Sequence, residues 1–334
     1  MGKDIRPPMT RQSSHIFSSF LVVFALHSAG FVGADAQTSY VLGGLAGAAM
    51  RLGSGARAMA MANALTAVTN ADGTGYYNPA VVPFQALPTA QVSAGFLSLD
   101  RNLNFASYGQ SLKPTGGFSL ALLNAGVSKI QGRNQDGLPT ETYSTSENEF
   151  LFTFGTKLRR DFAIGVSAKI LYYSLFEGVK STTVGFDLGL LYIPFEEWAV
   201  GVVVGDINSK YKWDTSQLYG NEGNTTIDRF PLRRKIALCY SPGFVKGRVS
   251  GEVEWIGSVV VSRIGTEITL HDNFAVRGGI DQIDFGGKIN AKPSIGFSLH
   301  TTVGSLKPTI DYGYIGEPYG SGGIHILSLT VSFE

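Results

Sequence analysis

The side chains that most often perform catalysis or bind metals are not clustered in this sequence. Cys239 is the single cysteine and lies in the apolar run 236–240, so it has no disulfide partner within the chain and packing is its expected role. The glycines at 53 and 55 lack the lysine and strand context of a phosphate-binding loop. None of the histidines has metal-ligand spacing; they are His15, His27, His271, His300 and His325. We therefore expect no enzymatic activity and no cofactor.

Acidic and basic side chains are the second group of residues that could bind or react, and they alternate with apolar side chains along the sequence. In residues 162–173, Phe162, Ile164 and Val166 share one face of an extended segment, whereas Lys169 belongs to the other. Successive side chains of a strand point to opposite faces, so one face is apolar and the other is small or polar. The polar faces carry both signs of charge, at Lys169, Asp187, Arg248, Glu252, Glu254, Arg263, Glu267, Arg277, Asp281, Lys307 and Asp311.

Charges on one face of long apolar strands indicate a barrel with lipid outside and a polar lumen inside. A charge on the lipid face would cost roughly 2–4 kcal/mol at mid-membrane, so the charges are expected to point inward. They have two possible roles: an ion-pair lattice that holds the N-terminal segment, or a charge-lined solute path. We favour the lattice, because a wide water-filled pore usually takes about 16–18 strands.

About fourteen extended segments position these side chains. They run roughly ten residues or more, and ~9–11 tilted residues cross a bilayer. The sequence therefore predicts an all-β fold, a transmembrane antiparallel β-barrel, with a soluble β-protein as the alternative. The strands are expected to begin near Pro88, Asn102, Thr115, Glu147, Asp161, Ser181, Glu196, Leu232, Lys246, Val261, Asn273, Asn290, Thr302 and Gly322.

The lengths of the links between these strands favour the membrane alternative. The even-numbered links are all tight, whereas the odd-numbered ones include the two longest, 127–146 and 208–231. Outer-membrane barrels have short periplasmic turns and longer external loops. We therefore expect the two long loops outside, the turn 113–115 in the periplasm, and both chain ends in the periplasm.

Composition and the N-terminus agree with export to a membrane. The chain is 44% hydrophobic and 16% charged, with a net charge of +1 that does not point to nucleic acid. Ordinary soluble domains are about 25% charged. Basic residues, an apolar stretch at 16–26 and an A-x-A site at 34–36 predict a cleaved signal peptide over 1–36, with Met1 or Met9 as the start. We expect a plug segment at 37–85 and the barrel at 86–334.

The plug segment consists of small side chains and lacks the alternation of the barrel. Residues 55–69 are strong helix formers and predict a helix that ends before a turn at 70–75. Arg57 is the sole basic residue between Arg51 and Arg101. A buried guanidinium needs carboxylate partners, such as Asp187 or Glu252, while exposure in the periplasm is the alternative.

Several motifs resemble the PorV/PorQ family, FadL-like outer-membrane barrels of Bacteroidetes-type bacteria. The plug motif carries the first likeness: Gly55, Ala56 and Arg57 are followed by an alanine-rich stretch and then by Tyr77-Asn78-Pro79-Ala80. The strand at 185–192, the segment 310–314 and the ending with His325 and Phe333 also resemble that family. Ala60 and Tyr77 depart from it, standing where the family often has glycine and tryptophan.

The resemblance implies two functions. PorV and PorQ proteins are components of type IX secretion that bind cargo proteins or partner subunits, and we favour this role. FadL-like members instead carry long-chain fatty acids or other hydrophobic solutes passively, with the N-terminal hatch as a gate. Tyr211, Trp213 and Tyr219 are candidate anchors for a protein partner, unless they belong to an interfacial girdle. The residues expected to line a site for a hydrophobic ligand are Met59, Met61, Leu65, Tyr76 and Tyr77. The alternative is that they only pack the plug against the wall.

Overall fold

The computed structural model describes residues 42–69, 75–176, 178–287, 289–318 and 322–334. The predicted signal peptide over 1–36, the first residues of the plug segment and most of the predicted turn after residue 69 lie outside the described residues. Among the helices in the described part of the chain, none is long and apolar enough to cross a membrane.

Fourteen antiparallel strands form a closed barrel in the described part of the chain, with β1 paired to β16, and two further strands, β8 and β9, form a separate hairpin. The strands are β1 Thr89–Phe96, β2 Arg101–Leu112, β3 Gly116–Arg133, β4 Pro139–Arg159, β5 Phe162–Phe176, β6 Val179–Phe195, β7 Trp198–Ile207, β8 Lys210–Asp214, β9 Thr225–Arg229, β10 Arg233–Tyr240, β11 Gly247–Ile256, β12 Val259–His271, β13 Phe274–Ile283, β14 Lys292–His300, β15 Leu306–Ile315 and β16 Ile324–Phe333.

In the described residues, the helices are short pieces. The N-terminal segment contains α1, Ala56–Ala60, and 3-10 turns at Leu42–Gly44, Ala49–Arg51 and Pro79–Phe84. A second short helix, α2, spans Ser216–Tyr219 and continues into a 3-10 turn at Gly220–Glu222. The prediction of an antiparallel barrel of fourteen strands with a small N-terminal helical segment is thereby confirmed.

Burial alternates along the strands. Phe152 and Phe154 on β4 are each 51% exposed on the outer face, whereas Leu151 and Thr153 between them are 2% and 4% exposed. The register predicted from the apolar period therefore agrees with the observed one, and the apolar side chains form the outer surface.

The barrel has two unlike ends. At the short-turn end, β2–β3, β4–β5, β6–β7 and β12–β13 are joined by at most three residues; β10–β11 and β14–β15 take slightly longer turns. At the opposite, long-loop end, the predicted loop 127–146 is largely an extension of β3 and β4, paired as far as Arg133 and Pro139. β4 therefore begins eight residues before the predicted Glu147, since the threonine-rich stretch pairs across the hairpin.

The N-terminal segment enters the barrel from the long-loop end. Leu42 and Leu45 pack there against Ile256 and Val259, which flank the β11–β12 turn. The chain then passes through the lumen and reaches the short-turn end, where β1 begins. β1 and β16 have their free ends at the short-turn end, as an even strand number requires. Leu42, the first described residue, lies at the other end. The expectation that both chain ends are periplasmic stays a prediction, because residues 1–41 lie outside the described residues.

Candidate functional site

The N-terminal segment fills the barrel as a plug, and its helix is much shorter than the sequence predicts. α1 ends at Ala60, and Ala62 and Asn63 take left-handed backbone angles of φ 55° and 61°. The wall prevents a longer helix: the barrel approaches the plug backbone so closely that a Cβ added at Gly279 would lie 2.8 Å from the Ala62 Cβ. Confinement therefore overrides the helix propensity of residues 55–69.

Glycines form the seat of this plug. Gly155 on β4 faces the 3-10 turn Pro79–Phe84, and a Cβ there would lie 2.7 Å from the Pro79 carbonyl oxygen. The alternation of the strands points these glycines inward, so the plug backbone contacts the wall directly. Nine strands each contribute one such glycine: Gly117, Gly155, Gly165, Gly189, Gly201, Gly265, Gly279, Gly296 and Gly313.

The motif residues shape the plug and fasten it to the wall. Gly55 has φ +76°, a left-handed angle that glycine adopts without strain, and it precedes α1. The Ala56 amide donates to Ser328 Oγ at 2.7 Å. Asn78 Nδ2 donates to the carbonyl oxygens of Thr66 and Leu190 at 2.7 and 3.1 Å, and Asn78 Oδ1 accepts from the Ala80 amide. Pro79 opens the following 3-10 turn, where a proline needs no amide proton.

Arg57 joins the plug to the wall through charge. Its Nε and Nη2 donate to the two carboxylate oxygens of Glu267 at 2.7 and 2.9 Å. Arg277 Nε reaches the same carboxylate at 2.5 Å and Arg248 Nε lies 3.3 Å away. Arg57 is thus buried, and its carboxylate partner is Glu267 rather than Asp187 or Glu252, because α1 packs against β13–β16 and the Arg57 side chain reaches β12 from there. Bidentate contacts of this kind fix geometry as well as charge.

A second charge cluster surrounds Lys169. Its Nζ lies 2.9 Å from Asp187, 2.9 Å from Asp206 and 3.4 Å from Glu149. Glu149 and Asp206 are not among the lumen charges predicted from the sequence. Glu149 follows the same alternation as its neighbours and could have been found, whereas Asp206 has φ 59° at a bulge of β7 that no periodicity reveals.

Further charges connect the clusters around the lumen. Arg263 pairs with Glu252 at 2.6 Å, Glu254 at 2.7 Å and Asp281 at 2.9 Å. Arg277 Nη1 is 3.1 Å from Asp311. Two residues of the predicted list are less enclosed: Arg248 is half-buried, and Lys307 pairs with Glu334 at the short-turn rim.

The lumen therefore has two unlike walls. The charged wall, β4–β7 with β10–β13, carries most of the ion pairs. The weakly polar wall, β14–β16 with β1–β3, instead offers hydroxyls such as Ser294 and Ser328 near the plug and an apolar layer above them, nearer the long-loop end. That layer contains Leu103, Phe105, Leu123, Ala125, Ile315, Ile324 and Ile326.

A cavity of about 580 Å³ lies between these walls on the long-loop side of the plug. The apolar layer contributes Ala125, Ile315 and Ile324, and the charged wall contributes Glu254, Arg263 and Asp281. Of the five predicted ligand-lining residues, Met59 lines this cavity. The others belong to the plug packing: Met61, Leu65 and Tyr77 are at most 5% exposed, and the Tyr76 hydroxyl donates to the Met50 carbonyl oxygen at 2.7 Å.

Three charged groups border the cavity beside the apolar layer. Arg101 Nη2 and Lys292 Nζ share the Glu317 carboxylate at 3.1 and 3.6 Å. Within this group of three, two cations face one anion, so the group can accept an additional carboxylate or phosphate. The lining as a whole is not positive, since it also carries Glu147, Asp228, Glu254 and Asp281 against Arg51 and Arg263.

The β8–β9 hairpin covers another side of the cavity. Tyr211 is 3% exposed and donates to Glu147, and its ring packs edge-on against Phe230, with centroids 4.9 Å apart. Burial, reinforced by the Glu147 carboxylate, raises the pKa of the Tyr211 hydroxyl above its usual value. Trp213 lines the cavity, whereas Tyr219 is 63% exposed. Tyr211 is one of the three aromatic residues expected to contact a protein partner. For Tyr211 this expectation is wrong, because its side chain points inward and binds Glu147.

A smaller, polar cavity of about 270 Å³ lies on the short-turn side of the plug. Arg57, Gln85, Arg277 and His300 line it, together with several hydroxyls. Met59 faces the larger cavity and Arg57 the smaller one, so α1 stands between the two spaces.

Comparisons with solved structures find the same fold. The CymD monoaromatic hydrocarbon channel superposes with a TM-score of 0.61 at 11% identity, over 85% of this chain and 98% of that one. The toluene transporter TbuX of Ralstonia pickettii gives 0.56 at 11% identity, over 84% and 99%. A FadL homologue of Pseudomonas aeruginosa gives 0.56 at 10% identity, over 83% and 96%.

At these identities the likeness shows the fold, which is FadL-like. No protein-family model matches the sequence, and no curated protein matches it. The comparisons therefore support the FadL-like part of the resemblance and leave its PorV/PorQ part as a prediction.

Proposed function

We propose that this protein is a passive conduit for small hydrophobic or amphipathic molecules across the bacterial outer membrane. In this proposal the signal peptide is removed on export, the apolar face of the barrel meets lipid, and the long-loop end faces outward. The protein performs no chemistry, and the plug controls passage. The secretion role, favoured from sequence, becomes the second candidate.

One observation carries the proposal: the 580 Å³ cavity is bordered by an apolar layer on one side and by charged groups on the other. Ligand pockets typically combine apolar walls with a few polar groups that orient the ligand. The named neighbours are channels and transporters of monoaromatic hydrocarbons and toluene, which supports a hydrophobic cargo.

The charges at the border favour an amphipathic cargo over a plain hydrocarbon. A carboxylate could bind Arg101 and Lys292 while its apolar chain lies against Ile315 and Ile324. The alternative named from the sequence, a long-chain fatty acid, has this form.

Filling the cavity tests the proposal in a bacterial host that lacks its own outer-membrane transporter for fatty acids. Ala125→Phe adds a ring at a 4% exposed position that lines the cavity, and Ala106→Phe adds the same ring on the outer face. We expect Ala125→Phe to abolish uptake of a radiolabelled long-chain fatty acid and Ala106→Phe to leave it unchanged. Normal uptake by Ala125→Phe at equal protein levels would contradict the proposal.

The second candidate is a type IX secretion component of PorV/PorQ type that binds cargo proteins or partner subunits. The exposed Tyr219 on α2 and the projecting β3–β4 extension favour it, since exposed aromatics often anchor protein partners. Lost cargo secretion after Tyr219→Ala, with fatty-acid uptake intact, would favour this candidate over the conduit.

A further inference from the structure

The rim of the long-loop end is uneven, and this leaves one strand without a neighbour. β3 to β6 extend well beyond the barrel, and β8 continues upward beside β6. β11 and β12, in contrast, are joined by Gly257 and Ser258 alone. β9 therefore pairs with β8 on one side and has no strand on its other side within the described residues.

The hydrogen bonds around the hairpin show which backbone groups of β9 face outward. The Phe230 amide donates to the Ser209 carbonyl oxygen and the Thr215 amide to that of Asn224. In an antiparallel pair, residues bonded to the partner alternate with residues whose groups point away. Tyr211 and Asp228 therefore bond across the hairpin, and the amide and carbonyl groups of Ile227 and Arg229 point away from β8.

The hydrogen bonds along the opposite edge of the hairpin, on β8, confirm this alternation of inward and outward backbone groups. Lys210 and Lys212 are the β8 residues whose backbone groups point away from β9, and both have partners on β6. The Lys212 amide donates to Ser181 Oγ at 2.8 Å, and the Lys210 carbonyl oxygen accepts from Thr183. On β9, no residue of the described chain bonds the outward groups of Ile227 and Arg229, and all five residues of that strand are exposed.

The face of the hairpin that carries Ile227 and Arg229 is mostly basic, with Lys210, Lys212 and Arg229 against one acid, Asp214. Asp228, the acidic residue of β9, lies on the other face. Lys210 stands directly opposite Arg229, and Lys212 opposite Ile227. Like charges placed directly opposite each other destabilise a strand pair. None of these three cations forms an ion pair with another described residue. An acidic group brought beside them would relieve this repulsion.

We propose that the outward edge of β9 is a docking strand for an extended peptide segment with acidic side chains. The peptide would add a strand to the hairpin, with Ile227 and Arg229 supplying the backbone hydrogen bonds. Arg229 would meet an acidic side chain directly opposite, and Lys210 and Lys212 would add a favourable field. A second copy of this chain is the wrong occupant, because two basic edges repel each other. This inference is independent of the conduit proposal.

Proline at the outward position gives a selective test. Ile227→Pro removes an amide proton that β8 does not use, and proline is tolerated at the outer side of an edge strand. Ile227→Thr keeps the amide and serves as the matched control. The probes are a labelled eight-residue peptide of alternating glutamate and valine and its lysine–valine counterpart. Their binding to the full-length protein in detergent is followed by fluorescence anisotropy.

We expect saturable binding of the glutamate peptide, weakened about tenfold or more by Ile227→Pro and changed less than about twofold by Ile227→Thr. Arg229→Glu should weaken binding of the glutamate peptide as well, which provides a second readout should the proline variant fold poorly. Salt should also weaken that binding. Absence of saturable binding, equal binding of the lysine peptide, or undiminished binding by well-folded Ile227→Pro would each overturn the proposal.

Discussion

The two walls of the lumen hold the same plug by different means. On the charged wall, Arg57 reaches Glu267 within a lattice of buried ion pairs, so each charge depends on a specific partner. On the weakly polar wall, the plug is fastened by single hydroxyl contacts such as Ala56 to Ser328 and Ser294 to Ala60. Removing one member of a buried pair leaves an uncompensated charge, whereas removing a hydroxyl does not.

The difference also explains where the cavity lies. A layer of buried ion pairs is poorly suited to an apolar ligand, because each charge is held by its partners. The apolar layer above the hydroxyls has no such constraint. The cavity borders both walls, and a ligand can therefore place its apolar part on one and its polar part toward the other.

Lys169→Met should have the largest effect, since it leaves the carboxylates of Glu149, Asp187 and Asp206 close together without their cation. We expect a loss of about 3–5 kcal/mol in the free energy of unfolding. Denaturant unfolding of the reconstituted barrel, followed by its electrophoretic mobility, measures the loss. Lys180→Met on the exposed surface is the control; an equally small loss for both variants would show that the lattice is not cooperative.

The Arg57–Glu267 pair should couple plug and wall. Arg57→Ala, Glu267→Gln and the double variant form a cycle in which we expect a coupling of about 2 kcal/mol, within the range for contacting residues. Glu267→Gln should be the more damaging single change, because it leaves both Arg57 and Arg277 buried without that carboxylate. Both single variants should raise permeability to large antibiotics. Additive effects on unfolding, with unchanged permeability, would argue against a plug locked by this pair.

Crowding the glycine seat should have a medium effect. Gly279→Val would push a side chain into Ala62, and we expect a loss of about 1–3 kcal/mol. Gly251→Val is the matched control, since a Cβ at Gly251 meets no atom within 4 Å. Thermal unfolding of the two variants gives the comparison. If Gly279→Val is as stable as Gly251→Val, the plug is seated more loosely than these contacts indicate.

Ser328→Ala should have the smallest effect. It removes the acceptor of the Ala56 amide, and we expect a loss of about 1 kcal/mol. Ser262→Ala on the outer side of β12 controls for the loss of a serine in a strand. A loss as large as that of Lys169→Met would erase the distinction between the two walls.

The barrel could be predicted from the sequence because its signal is repeated. The period of two recurs from strand to strand around the barrel, and one wrong residue does not change the pattern. The inward glycines also follow this period, so the seat of the plug was in principle visible. The start of β4 was missed because the threonine-rich extension lacks an apolar face.

The contacts of the plug could not be predicted, because they depend on how the segment is threaded. Residues 55–69 have the composition of a helix, yet the wall ends α1 at Ala60. Arg57 had several possible carboxylate partners, and α1 had to be placed against β13–β16 before Glu267 could be chosen. Tyrosine is a residue type that often anchors interfaces, but the fold of the hairpin points the Tyr211 side chain toward Glu147.

Ligand binding in the larger cavity can be followed directly with Trp213, which lines it. The other two tryptophans, Trp198 and Trp255, lie on strands at outward positions and can be replaced by phenylalanine. In that background we predict that a brominated long-chain carboxylic acid quenches Trp213 saturably, and that Ala125→Phe, which fills the cavity, abolishes the quenching. Quenching that does not saturate, or that persists in Ala125→Phe, would contradict a ligand site between the two walls.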